Sequence, residues 1–262
     1  MAIFLSQLFT GVSVGAVLLL IALGLTFTFG QMNVINMAHG EFLMAGAYTT
    51  YLLGGGLGAT AALLLALPVA FLVAGLLGLV LEAVLIRRLY GRTLDTLLVT
   101  WGVSLMLQQL ARDLFGAPNV QVQAPSWLGG GIDVAGATIP MARLFILGLV
   151  VAAIVSIWIF LTRLAAGRRM RAVMQNRQLA SCSGIPTDRV DRATFFIGSG
   201  LAGLAGVALT LLGSIGPTLG TNYIVDAFLV VVVGGLGQLR GAVLAAFFLG
   251  VLNAFVEYWT QA

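Results

Sequence analysis

The chain has 262 residues, 60% hydrophobic and only 8% charged, with a mean hydropathy of +1.07; soluble domains carry about 25% charge, so a water-facing surface is excluded. The net charge of +4 comes from thirteen arginines that flank apolar runs, as topology signals do, and nucleic-acid binding is set aside. With no lysine, a P-loop or a Schiff-base site is impossible, and the single Cys182 excludes an intramolecular disulfide and any multi-cysteine metal site.

Eight apolar segments follow in order, at roughly 5–29, 33–53, 59–86, 94–115, 142–162, 191–212, 222–235 and 242–259. A bilayer crossing takes roughly 20 residues at 1.5 Å each. The pattern predicts one all-α, polytopic membrane domain over 1–262, with eight transmembrane or re-entrant segments and room for ten. Met1–Thr10 lacks the basic region of a cleaved signal peptide, so the first segment is read as a retained span. The second and seventh segments are irregular. The second is polar in its first half, and the seventh is short and ends in Gly234, Gly235 and Gly237. Interrupted segments in both halves of a transporter point to a mid-membrane substrate site.

Within the second segment, Asn33, Asn36 and His39 share one helix face at three-residue spacing, while Glu41 aligns with Ala45 and Tyr48. Such polar groups either wall a substrate path or satisfy backbone groups freed at a helix break. Thr100, Ser104, Gln108 and Arg112 form a second stripe at four-residue spacing, flanked by Trp101 and Gln109; it lines a path or binds a neighbouring helix. Asn222 and Asp226 open the seventh segment and are expected to face an outer vestibule.

Arginine clusters at Arg87–Arg92 and at 163–192 place those connections in the cytoplasm, whereas 113–140 has no basic residue and lies outside. With eight spans, both termini are then outside. The 163–191 stretch is expected to be a cytoplasmic segment. A short helix ending at Gly184 would present Ala180, Gly184 and Ile185, followed by Pro186, to another subunit. Gly198, Ala202 and Gly206 repeat every four residues, as helices in close contact within lipid require. Gly198-Ser-Gly-Leu-Ala-Gly203 matches a dinucleotide fingerprint in letters, but it lies in an apolar run without a preceding strand. Gly234 to Gly241 reads as a tight turn. Rhomboid, zincin and aspartyl-protease patterns are all incomplete, so no catalytic residue, cofactor or metal is expected.

The run Val34-Ile-Asn-Met-Ala-His-Gly-Glu-Phe-Leu-Met-Ala-Gly-Ala-Tyr48 strongly resembles the second-segment motif of permeases of the branched-chain amino acid ABC importer family. The likeness continues through Arg171–Val190 and Val231–Gly241. Three features are similar to the urea branch of that family. They are Asn36–Glu41 with Tyr48-Thr-Thr-Tyr51, then Leu94–Gly102 with Gln108-Gln109, and Asn119-Val-Gln-Val with Pro125-Ser-Trp127.

The resemblance implies a bacterial inner-membrane importer with a second homologous permease, two cytoplasmic ATPase subunits and an extracytoplasmic binding protein. It implies that 168–191, with Arg171, couples to an ATPase, and that the two permeases alternate access. Urea is the implied substrate, with a branched-chain amino acid or another small amide as the alternative within the class, and an ATP-independent urea channel as the rival outside it. In one departure, the family usually has Gly-Val-Met-Gly after the Phe-Gly of the first segment, where this chain has Gln31, Met32 and Asn33. The second glycine is lost, and polarity is added near the path.

Overall fold

A computed structural model describes residues 2–134 and 137–261. Ten α-helices dominate: α1 Ala2–Met32, α2 His39–Gly54, α3 Ala59–Val84, α4 Thr93–Phe115, α5 Met141–Arg163, α6 Ala165–Gln175, α7 Arg177–Cys182, α8 Thr187–Thr210, α9 Leu219–Gly234 and α10 Leu239–Gln261. Each of the eight apolar segments contains a helix, and the all-α polytopic class holds. One hairpin interrupts it, β1 Gly131–Val134 paired with β2 Ala137–Pro140, in the loop before α5.

Among the described residues five helices, α1, α3, α5, α8 and α10, are long and apolar enough to cross a membrane. With 23 residues, α4 is of similar length but carries its polar stripe. The 16-residue α2 and α9 reach only about 24 Å, short of a hydrocarbon core of about 30 Å. Helix α1 is hydrophobic all round and forms the centre: Ala16 through Leu25 are buried without exception.

The packing repeats itself in inverted sense. Long–short–long triplets α1-α2-α3 and α8-α9-α10 interlock so that α3 lies along α8 as α10 lies along α1, and α2 lies on α8 as α9 lies on α1. The starts of the two short helices meet backbone to backbone at Gly40 and Gly220, where a methyl on either would overlap the other chain. The small-residue stripe on α8 serves the same end. Gly206 abuts the Leu43 carbonyl, Gly203 faces Ala70 and Ala74, and Gly198 faces Gly24.

The second segment does not start where its apolar pattern starts. Residues 33–38 are non-helical, and α2 begins at His39. Asn33, with φ of 53°, takes the left-handed conformation that asparagine tolerates, and its amide closes the end of α1 on the Phe29 carbonyl at 2.9 Å. The turn therefore survives the loss of the family's second glycine. Asn33, Asn36 and His39 do not form one helical face, because the first two lie in the break. The turn after α9 is tight as expected, with Gly235 and Gly237 at φ of 89° and 74°. Between α5 and α8 two short helices replace the expected single one, with Gly184 at φ of 79° after the second.

Candidate functional site

Because the chain doubles back after α1, α2 starts beside the middle of α1. The His39 Nε2 lies 3.1 Å from the Ile21 carbonyl, and both Asn36 and His39 are fully buried. The break is satisfied locally. Asn36 Oδ1 accepts from the Ala38 amide at 3.1 Å, and Asn36 and Ala38 carbonyls accept from the His39 and Glu41 amides. Thr100 accepts the Met37 amide at 3.0 Å and lies within reach of the Ile35 carbonyl, so this part of α4 is pinned to the break.

One turn into α2, Glu41 is 1% exposed and accepts from Ser104 Oγ at 2.8 Å and from Gln108 Nε2 at 2.9 Å. Gln108 Nε2 is also 2.9 Å from Thr221 Oγ1 on α9 and 3.2 Å from Ser104 Oγ, leaving it three acceptors for two protons. Side chains of α2, α4 and α9 thus converge at the joint of the two short helices. Asn36 Nδ2, His39 Nδ1, Glu41 Oε2 and the Tyr48 hydroxyl have no hydrogen-bond partner among the described residues. Tyr48 is stacked on Phe115 with ring centroids 4.1 Å apart, tying α2 to the end of α4.

The structure therefore brings together Glu41, Ser104 and Gln108, with Thr100 and Asn36 at the adjoining break, while His39 turns to the Ile21 carbonyl of α1 and Tyr48 to Phe115. It does not bring Trp101, Asn33 or Asn222 there. Trp101 is 54% exposed on the outward side of α4, and Asn33 and Asn222 are exposed. Asp226 is half-buried on a separate groove with Asn253. Thr221 joins the cluster instead; its position beside Asn222, one residue off the expected pair, was its only trace in the sequence. Towards the 113–140 loop, a cavity of about 450 Å³ is lined by Thr50, Tyr51, Gln121 and Gln123.

A second polar network lies where the arginines gather. Asp191 is fully buried at the start of α8 and receives both Nη1 and Nη2 of Arg177, at 2.9 and 2.6 Å. Gln31 Nε2 donates to the same carboxylate at 2.8 Å, and Gln31 accepts from Thr194 at 2.6 Å. The expected polarity of Gln31 thus goes to this network and not to the path. The Arg177 guanidinium lies 5.3 Å from the Tyr90 ring centre, and Tyr90 donates to Glu82 at 2.7 Å. Arg192 is 3.8 Å from the other Glu82 oxygen, and Arg87 pairs with Asp188. The ends of α1, α3, α7 and α8 are clamped together. Sequence reading passed over Glu82 and Asp191, although acids inside apolar segments are the signal that marks such residues.

On the 163–191 segment, Arg171, Gly184 and Pro186 are exposed and Ile185 is half-buried. Ala180 is not part of a free patch. It is 5% exposed, and Leu179, at 65%, is the apolar residue that points outward.

Residues 7–262 match the family described as branched-chain amino acid transport system, permease component. The high-affinity branched-chain amino acid permease LivH of Salmonella typhimurium is 33% identical over 96% of this chain and 85% of its own length. BraD of Pseudomonas aeruginosa, of the same description, is 31% identical over 96% and 86%. A ribose import permease of Bacillus subtilis shares 36% identity over 39% of the chain and 34% of its own. No solved structure matches. The chain belongs to the permease components of branched-chain amino acid transport systems, as a multi-pass membrane protein.

Proposed function

We propose that the chain is one of two membrane subunits of an ATP-driven importer in a bacterial inner membrane, and that its substrate is urea. The solute passes the joint of α2 and α9, bordered by Asn36, His39, Glu41, Tyr48, Thr100, Ser104 and Gln108. The carrying observation is that four amide donors at the broken helix are already used. The amides of Met37, Ala38, His39 and Glu41 all have acceptors within the chain. A half-helix start of this kind is where an amino-acid carboxylate would otherwise dock. The side chains at the joint are amides, hydroxyls, an imidazole and one carboxylate, with no arginine among them to receive a carboxylate. Urea brings four N–H donors and one carbonyl, which suit Glu41 Oε2, the Tyr48 hydroxyl and the orphan amide of Asn36.

Movement is driven from the arginine-rich side. ATPase subunits seat on the 163–191 segment, with Arg171, Leu179, Gly184, Ile185 and Pro186 at the contact. The Arg177–Asp191 pair passes their motion to α1, α3 and α8. A second, homologous permease pairs with this one, and an extracytoplasmic binding protein delivers the solute to the pair. The relatives' names favour a second reading, in which a branched-chain amino acid is carried through the same joint.

Radiolabelled urea uptake, in cells with and without the chain and with leucine as competitor, separates the two. Urea uptake that needs the chain, stops on ATP depletion and ignores leucine is expected. Leucine uptake in its place overturns the substrate, and urea uptake that survives ATP depletion overturns the pump. Gly184→Trp is expected to release the ATPases while leaving membrane insertion intact, since its left-handed backbone disfavours any side chain.

A further inference from the structure

Helix α5 packs on α1 and α6 but makes no extended contact with α3 or α8. The gap is an apolar cavity of about 470 Å³, walled by Phe27, Phe71, Ile157, Phe160, Ile197 and Leu201. Ser156 is its one polar side chain. A second cavity of about 200 Å³ continues it, because Phe160 and Met170 border both, and this one is lined by Arg169 and Arg189. Among the described residues, no acidic side chain lines either cavity. Both arginines are exposed, and neither makes a salt bridge among the described residues.

The cleft has the dimensions of a lipid. Along α5 its wall runs from Leu149 to Phe160, about 17 Å of helix, which is somewhat more than half of a hydrocarbon core of about 30 Å. It is apolar through that depth and carries two cations at the end where the arginines mark the membrane surface. Water in the apolar part would find no partners, and a free anion would leave it unfilled. Basic pockets between transmembrane helices on the cytoplasmic side suit phosphate headgroups.

We propose that this cleft holds one anionic phospholipid of the inner leaflet. Its phosphodiester lies between Arg169 and Arg189, and one acyl chain fills the cavity between α5 and α8. Bound there, the lipid wedges α5 against the bundle beside the start of α6, which follows it in the chain.

Native mass spectrometry of the full chain in neutral detergent tests this, with dioleoyl phosphatidylglycerol, dioleoyl phosphatidylcholine and soluble glycerol phosphate as probes. Phosphatidylglycerol is expected to stay bound where the other two are lost. Arg169→Gln with Arg189→Gln should weaken its binding roughly thirty-fold, from about 1 kcal/mol per basic residue. Ala153→Trp, which fills the apolar cavity, should weaken both lipids. Equal retention of the two lipids, or unchanged phosphatidylglycerol binding in the double variant, overturns the proposal. So does a double variant that keeps its lipid but no longer co-purifies with a protein partner, since the arginines then serve that partner. If the double variant does not fold, the headgroup preference of the parent chain and the Ala153→Trp result still decide.

Discussion

The two polar clusters use the same residue types in opposite ways. At the inner network, each buried acid has a cation: Asp191 has Arg177, and Glu82 has Arg192. At the joint of the short helices, Glu41 has only neutral donors, and those come largely from α4, a helix that leans chiefly on α2. A buried ion pair broken on one side strands a charge, so the inner network resists separation. The joint is held by exchangeable hydrogen bonds of about 1 kcal/mol each, so a polar solute can replace them. One cluster keeps helices moving together, and the other can open.

The largest expected effect breaks the rigid side. Asp191→Leu strands Arg177 and Gln31 and should lower stability by about 2–4 kcal/mol, the half-exposed guanidinium softening the full penalty. Thermal unfolding in detergent measures it, and a double-mutant cycle with Arg177→Gln should show that most of the loss is shared. A shift under 1 kcal/mol would mean that the clamp is ornamental.

Gln108→Leu acts on the other side and should lower urea uptake at least tenfold while costing about 1 kcal/mol of stability. Uptake equal to the parent removes α4 from the path. Glu41→Gln keeps an oxygen for Ser104 and Gln108, so its stability should stay within about 1 kcal/mol of the parent. Any change in uptake then reports the carboxylate itself.

The smallest effect is one of pH. Burial, and then the bond to Glu82, raise the Tyr90 hydroxyl well above the ordinary tyrosine range. The folded state therefore holds that proton more tightly than the unfolded chain. Its contribution is present below pH of about 10 and is lost as pH rises beyond it. Tyr90→Phe should cost about 1 kcal/mol at neutral pH and flatten that alkaline decline.

The helices were legible because apolar length and arginine position are strong signals in lipid. The α8 glycine stripe was legible for the same reason, since close packing needs small residues whatever the partner. The Thr100–Ser104–Gln108 stripe was found as a face and landed as one. The start of α2 was not, because apolar Val34 and Ile35 continue the pattern of a helix while the backbone leaves it; only Asn33 and Asn36 hinted at a break. Thr221, Asp191 and Glu82 gain their meaning from partners as far as 160 residues away, and spacing along one chain cannot supply those. The inverted repeat of α1-α2-α3 in α8-α9-α10 lies in helix lengths and contacts rather than in matching residues.

Thiol accessibility probes the joint most directly. With Cys182 changed to Ser, Gln108→Cys leaves one thiol at the joint, to be challenged with a membrane-impermeant methanethiosulfonate in the energised transporter. Labelling that proceeds during turnover and is slowed by urea, but not by leucine, is the expected result. A thiol that stays inert under turnover, or reacts only with a lipid-soluble reagent, would place Gln108 away from any aqueous route and contradict the passage of solute between α2, α4 and α9.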